Sequence, residues 1–166
     1  MAMIYALGEK SGAHLNPAVT IAFSVNGSFP AKQILPYISS QLAGAVTASA
    51  VLKIMFPVSV LLGATIPSGS ALQSLVMEFI LTFLLMLVII NVATGSKEQG
   101  MFAGMAIGAV VLLEAMFAGP VSGASMNPAR SLAPALIAGE MKQLWIYLVA
   151  PVLGAVAAVF IQKLIK

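Results

Sequence analysis

The phrase Ser-Gly-Ala-x-x-Asn-Pro-Ala occurs twice in this chain, as "SGAHLNPAVT" at residues 11–20 and as "SGASMNPARS" at residues 122–131. It constrains the fold more than any other feature, because it places two similar breaks in regular structure in two halves of the chain. After each Asn-Pro-Ala comes a short apolar run that stops at glycine, "VTIAFSVNG" in the first copy and "RSLAPALIAG" in the second. Asn is a good N-cap, Pro is favoured at the first helical position and Gly ends helices. Each copy therefore predicts a short helix, over residues 16–26 and 127–137. Neither approaches the roughly 20 apolar residues that a bilayer-spanning helix needs.

That shortness matters because the rest of the chain belongs in a bilayer. Hydrophobic residues make up 60% of it and charged residues 8%, where a soluble domain carries about 25% charged residues. Four stretches are long enough to span, near residues 33–54, 71–94, 100–118 and 143–162. The eight Lys/Arg stand against five Glu, no Asp and no Cys. The lysines sit mostly between apolar segments, as flanking anchors rather than a nucleic-acid surface. With the polar turn "GSKEQG" on the cytoplasmic side, Lys10, Lys32, Lys97, Lys163 and Lys166 fall inside, and Lys53 and Lys142 outside, which agrees with the positive-inside bias. Residues 1–8 are too short for a span or a complete signal peptide. Gly100, Gly104 and Gly108 share one face of the third span and predict close approach of another backbone there.

A non-helical entry at membrane depth is tolerated only where it lines a cavity or is buried in protein. Two interrupted segments in corresponding halves point to a site at the bilayer midplane, between inverted repeats. Two half-helices entering from opposite faces bring together two positive dipole ends and the amides of Asn16 and Asn127. Such a centre repels cations. The residues before each cap, Gly12, Ala13 and His14 in one loop and Gly123, Ala124 and Ser125 in the other, are expected to be extended, offering carbonyl oxygens to a passing solute. Arg130 lies three residues beyond Asn127 on the same helical face, where a guanidinium donates hydrogen bonds and excludes cations and protons. Its counterpart in the first copy is Val19. The pattern suits a small neutral molecule that both gives and accepts hydrogen bonds.

With its paired boxes Asn16-Pro17-Ala18 and Asn127-Pro128-Ala129, the chain resembles the major intrinsic protein family of aquaporins and aquaglyceroporins over essentially its whole length. "AGPVSGASMNPARSL" resembles the nodulin-like branch in particular. The resemblance implies an all-α membrane protein, a right-handed bundle of six spans and two half-helices, with a pore in each monomer, four monomers assembling as a homotetramer, no cofactor or metal, and a location in the plasma or inner cell membrane. Residues 70–166 would form a complete second repeat, with spans 4 to 6 and half-helix 127–137. Residues 1–69 would form an incomplete first repeat, holding the end of span 2, half-helix 16–26 and span 3. Residues 71–126 precede Asn127, whereas only residues 1–15 precede Asn16, so the repeat predicts that about 40 residues are absent from the first half.

In the family four positions form a selectivity filter. Three of them match Ala115, Ala124 and Arg130; the fourth would lie upstream of Met1. Water-selective members usually carry His where Ala115 stands, so two alanines imply a wider, less polar opening. Ser131 and Ala135 stand where glycerol specialists carry Asp and a basic residue, and Tyr147-Leu148 is a mixed signature. The resemblance also implies that Glu78 accepts from backbone N–H groups of the neighbouring Asn-Pro-Ala loop. Gln41 is expected to bond helix to helix, and His14 to brace its loop while its carbonyl lines the pore. Glu114 precedes Ala115 where nodulin-like relatives often carry Asn, and its role is left open. The readings that remain are a passive channel for water and small neutral solutes, a secondary transporter coupled through Glu78 and Glu114, and a non-conducting short form that associates with full-length channels. No nucleophile and base set points to an enzyme.

Overall fold

In the computed structural model, which describes residues 1–96 and 100–165, all regular structure is helical. A ten-residue helix α1 (Ala2–Ser11) leads into α2 (Pro17–Asn26). The long helices α3 (Ile34–Met55) and α4 (Ala71–Ala93) follow, then α5 (Ala103–Ser122), α6 (Pro128–Ala138) and α7 (Leu144–Leu164). Four of these, α3, α4, α5 and α7, are long and apolar enough to cross a bilayer. At 1.5 Å rise per residue each reaches about 30 Å, the thickness of a hydrocarbon core. By contrast α2 and α6, at 10 and 11 residues, reach about half of it. Three spans separate α2 from α6, an odd number, so the two half-helices enter from opposite faces.

Local signals account for the ends. Asn16 and Asn127 cap α2 and α6, Pro17 and Pro128 open them, and Gly27 and Gly139 close them in the left-handed conformation. The expected end of the third span at residue 118 is corrected: α5 continues through Pro120 to Ser122. Its last turn is held from outside, the Tyr147 hydroxyl donating to the Ser122 carbonyl at 2.6 Å.

The core is the seam where α4, α7 and α2 meet. Leu81, Leu85, Met86 and Ile90 of α4 pack with Ala155, Ala158 and Val159 of α7 and with Ala18, Ala22 and Phe23 of α2. The tightest approach is one the glycine pattern did not single out. A Cβ on Gly154 would overlap the Phe79 carbonyl oxygen and press on the Phe83 nitrogen, so α7 and α4 touch backbone to backbone there. On α5, Gly104 faces the Tyr5 ring and Gly108 faces Met1, whereas Gly100 has no neighbour within 4 Å. Among these three a backbone therefore approaches at Gly108 alone, from Met1 just ahead of α1; at Gly104 the neighbour is the Tyr5 side chain. The Lys163 ammonium lies 3.4 Å from the Val25 carbonyl, which puts the ends of α7 and α2 on one side of the bundle. Lys97 and Lys166, and with Lys97 the centre of the "GSKEQG" turn, lie outside the described residues.

Candidate functional site

The N-termini of α2 and α6 meet, and each asparagine does two jobs. Asn16 Oδ1 accepts from the Ala18 N–H at 2.9 Å, and Asn127 Oδ1 from the Ala129 N–H at 3.0 Å, satisfying helix-end donors that have no partner within the helix. The amide nitrogens cross over: Asn16 Nδ2 donates to the Met126 carbonyl at 2.7 Å, and Asn127 Nδ2 to the Leu15 carbonyl at 2.8 Å. The two loops are thus pinned reciprocally. An amide nitrogen has two N–H donors, so each asparagine keeps one for another acceptor. Pro17, Ala18, Pro128 and Ala129 are buried beneath them.

The loops ahead of the caps are not extended, and that expectation is corrected. Gly12, Ala13 and Leu15 have φ of 78°, 43° and 54°, and Gly123, Ala124 and Met126 have φ of 86°, 42° and 54°. Left-handed conformation in a non-glycine residue costs about 1–3 kcal/mol. Glu78 supplies the reason in the second loop. Its carboxylate accepts from the Ser125 N–H at 2.8 Å, the Met126 N–H at 2.7 Å and the Ser122 hydroxyl at 2.7 Å. Consecutive N–H groups point to opposite sides of an extended strand, so both can reach one carboxylate only because the backbone departs from extended at Ser125, between them; the carboxylate thereby holds the loop whose neighbours Ala124 and Met126 are left-handed. Each such charge-assisted bond is worth about 1.5–3 kcal/mol, enough to offset the strain. In the first loop the corresponding hold is neutral: the Ala13 N–H donates to the Ser11 hydroxyl, the His14 N–H donates to the Tyr37 hydroxyl, and Tyr37 donates to the Ser11 carbonyl.

His14 is half-buried among Phe23, Phe29 and Tyr37, with ring centroids 4.8–5.2 Å apart. Its Nδ1 lies 3.1 Å from Thr20 Oγ1, as does Gln41 Nε2, and the Thr20 hydroxyl itself donates to the Asn16 carbonyl at 3.0 Å. A hydroxyl has one hydrogen and two lone pairs. Thr20 accepts from Gln41 and meets the His14 ring, so it joins His14, Gln41 and the Asn16 carbonyl in one polar cluster. Gln41 thereby links α3 to α2. Among the described residues no group of three metal-ligating side chains occurs.

Arg130 is exposed and donates from Nη1 to the Gly63 carbonyl at 2.6 Å. Two cavities of about 470 Å³ flank the asparagine pair. One is lined by His14, Asn16 and Val19 and faced by apolar Ile89, Ile107 and Val111; the other is lined by Gln41, Ala129 and Arg130. Leu15 and Asn127 line both. Of the three filter positions Arg130 alone lines these cavities; Ala115 is exposed elsewhere on α5, and Ala124 is buried. Glu114 is 3% exposed, with neither oxygen hydrogen-bonded among the described residues. What sequence reasoning missed is the segment between α3 and α4. In it Gly63 meets Arg130, Thr65 bonds Ser131, and Ser68 bonds the Val121 carbonyl. Nothing in "LLGATIPSGS" marks those contacts beyond its small residues.

Four spans around two capped half-helices that meet tip to tip define a multi-pass membrane protein of the aquaporin-like helical bundle type. Residues 1–162 match the family described as "Major intrinsic protein", and the chain belongs to that family. It is 52% identical to Aquaporin NIP1-1 of Zea mays over 173 residues, covering 100% of this chain and 59% of the relative. It is 47% identical to Nodulin-26 of Glycine max over 165 residues, covering 99% of this chain and 61% of the relative. Its structure superimposes on that of the aquaglyceroporin from Plasmodium falciparum with a TM-score of 0.82 at 27% identity, over 95% of this chain and 75% of the other. The chain thus spans about three-fifths of the length of these two sequence relatives.

Proposed function

We propose that this protein is a passive channel for water and small neutral solutes, of the glycerol or metalloid-acid kind, that excludes ions and protons. The observation that carries the reading is the pair of half-helix tips locked by the reciprocal Asn16 and Asn127 bonds, with a cavity on either side. The N-terminus of a helix bears about half a positive charge, so two tips and the Arg130 guanidinium repel cations from the middle of the path. One unused N–H on each asparagine, together with loop carbonyls, receives a solute that both donates and accepts. The apolar side chains facing this lane offer such a solute no competing bonds. Ala115, Ala124 and Arg130 are the filter positions in this reading, of which Arg130 alone lines the two cavities, and the carbonyls of Gly12, Ala13, His14, Gly123 and Ser125 belong to the lane. Glu78 and Gln41 are scaffold, and the assembly is a homotetramer. The names of the relatives, aquaporin, nodulin and aquaglyceroporin, support the same reading.

The test is stopped-flow light scattering on liposomes carrying the protein, with water, glycerol and boric acid as solutes. Permeability above that of bare liposomes, linear in the solute gradient and indifferent to a proton gradient, is expected. Flux that saturates and requires a proton gradient would replace the channel with a transporter, and the unpartnered Glu114 would be its first candidate for coupling. No flux at all would remove both.

A further inference from the structure

A chain of three buried hydroxyls ties the α3–α4 segment to the second asparagine loop. Thr65 Oγ1 lies 2.7 Å from Ser131 Oγ, and Ser131 Oγ in turn contacts Ser125 Oγ. The Ser125 hydroxyl is 3.0 Å from the Asn127 carbonyl, which can only accept. Thr65 donates to Ser131, and the Ser131 and Ser125 hydroxyls share one short contact in which either can be the donor. All three side chains are buried, at 8%, 0% and 5% exposure for Thr65, Ser131 and Ser125.

The relay runs beside the bond that holds the guanidinium among the described residues. Gly63, whose carbonyl receives Arg130, stands two residues before Thr65, and Arg130 stands one before Ser131. Leu62 and Gly63 are both left-handed, with φ of 50° and 81°, a pair of turns that needs an external tie to persist. The Thr65 methyl packs on Gly123, where an added Cβ would come within 3.1 Å of it. Its hydroxyl thus engages the half-helix α6 at Ser131, and its methyl the start of the second loop at Gly123.

We infer that Thr65 is a specificity-determining positioning residue: its hydroxyl, bonded to Ser131, holds the Gly63 carbonyl where it sets the Arg130 guanidinium at the constriction. The inference rests on the channel reading, and it has one readout independent of transport. Arg130 is the only arginine in the chain, so phenylglyoxal modification mapped to the Arg130 peptide by mass reports how freely its guanidinium is presented.

Thr65→Val keeps the shape and removes the hydroxyl; Thr65→Ser keeps the hydroxyl. In protein reconstituted in liposomes, Thr65→Val is expected to label several-fold faster than the wild type and to raise glycerol permeability relative to water several-fold, while Thr65→Ser matches the wild type in both. Should Thr65→Val not fold, Ser131→Ala cuts the same link from the half-helix side and is read the same way. Equal labelling of all variants overturns the inference, and so does faster labelling with an unchanged glycerol-to-water ratio. A wild type that conducts nothing, with labelling still dependent on Thr65, removes the channel reading and the specificity role but leaves the positioning link.

Discussion

At the scale of single residues, two charges in an apolar bundle carry opposite duties. Arg130 spends one nitrogen on Gly63 and lines the cavities; Glu78 spends both oxygens on the loop. Replacing Arg130 by Val removes a fixed charge from the constriction and should raise proton or cation leak through reconstituted protein, read with a pH-sensitive dye inside the vesicles. An unchanged leak would mean that the two half-helix dipoles suffice. Glu78→Gln keeps the shape but turns one acceptor oxygen into an NH₂ that faces donors, leaving at least one buried N–H unpaired, at about 1–3 kcal/mol. The variant should melt several degrees lower in detergent, whereas Glu78→Asp, which keeps both acceptors, should lose less. Equal melting of Gln and wild type would show that the left-handed loop holds without its carboxylate.

At the scale of elements, what was legible in the sequence is what local chemistry decides. The two half-helices begin and end where Asn-Pro and Gly put them, within a residue, and the four spans follow from apolar length alone. The loops ahead of the caps were misread as extended because nothing nearby dictates otherwise: the turn at Ala124 and Met126 answers to a carboxylate on another helix, 47 and 48 positions from the N–H groups it binds. Helix contacts were half legible for a similar reason. Three glycines four residues apart, Gly100, Gly104 and Gly108, are visible along the third span, but a lone glycine on α7 carries no pattern, and Gly154 makes the closest approach. Gly154→Ala should therefore destabilise the bundle by about 1–3 kcal/mol through overpacking against the α4 backbone. Gly119→Ala on α5, where a Cβ meets nothing within 4 Å, should be neutral or slightly stabilising, since alanine is the better helix former. Thermal melts of the two variants compare them directly; a Gly154→Ala protein as stable as Gly119→Ala would mean that α4 and α7 slide apart at little cost.

At the scale of the whole molecule, the odd number of spans between the half-helices is what turns a repeated phrase into a two-sided device. Each tip must come from its own face for the dipoles to oppose, and that requires the lysines to sort by side. The Lys163–Val25 contact places the end of α7 beside the end of α2, so Lys32, just beyond α2, shares that side. Lys142, just before α7, lies at the opposite end of the same helix. The positive-inside bias then assigns the Lys32 side to the cytoplasm. Because the chain has no cysteine, the assignment can be read with one introduced thiol at a time. In intact cells a membrane-impermeant maleimide should label Lys142→Cys, whereas Lys32→Cys should label only after permeabilisation. The reverse pattern would keep the two-faced arrangement and invert its orientation. Labelling of both from one side would break the count of spans, and with it the argument that two half-helix tips meet from opposite faces.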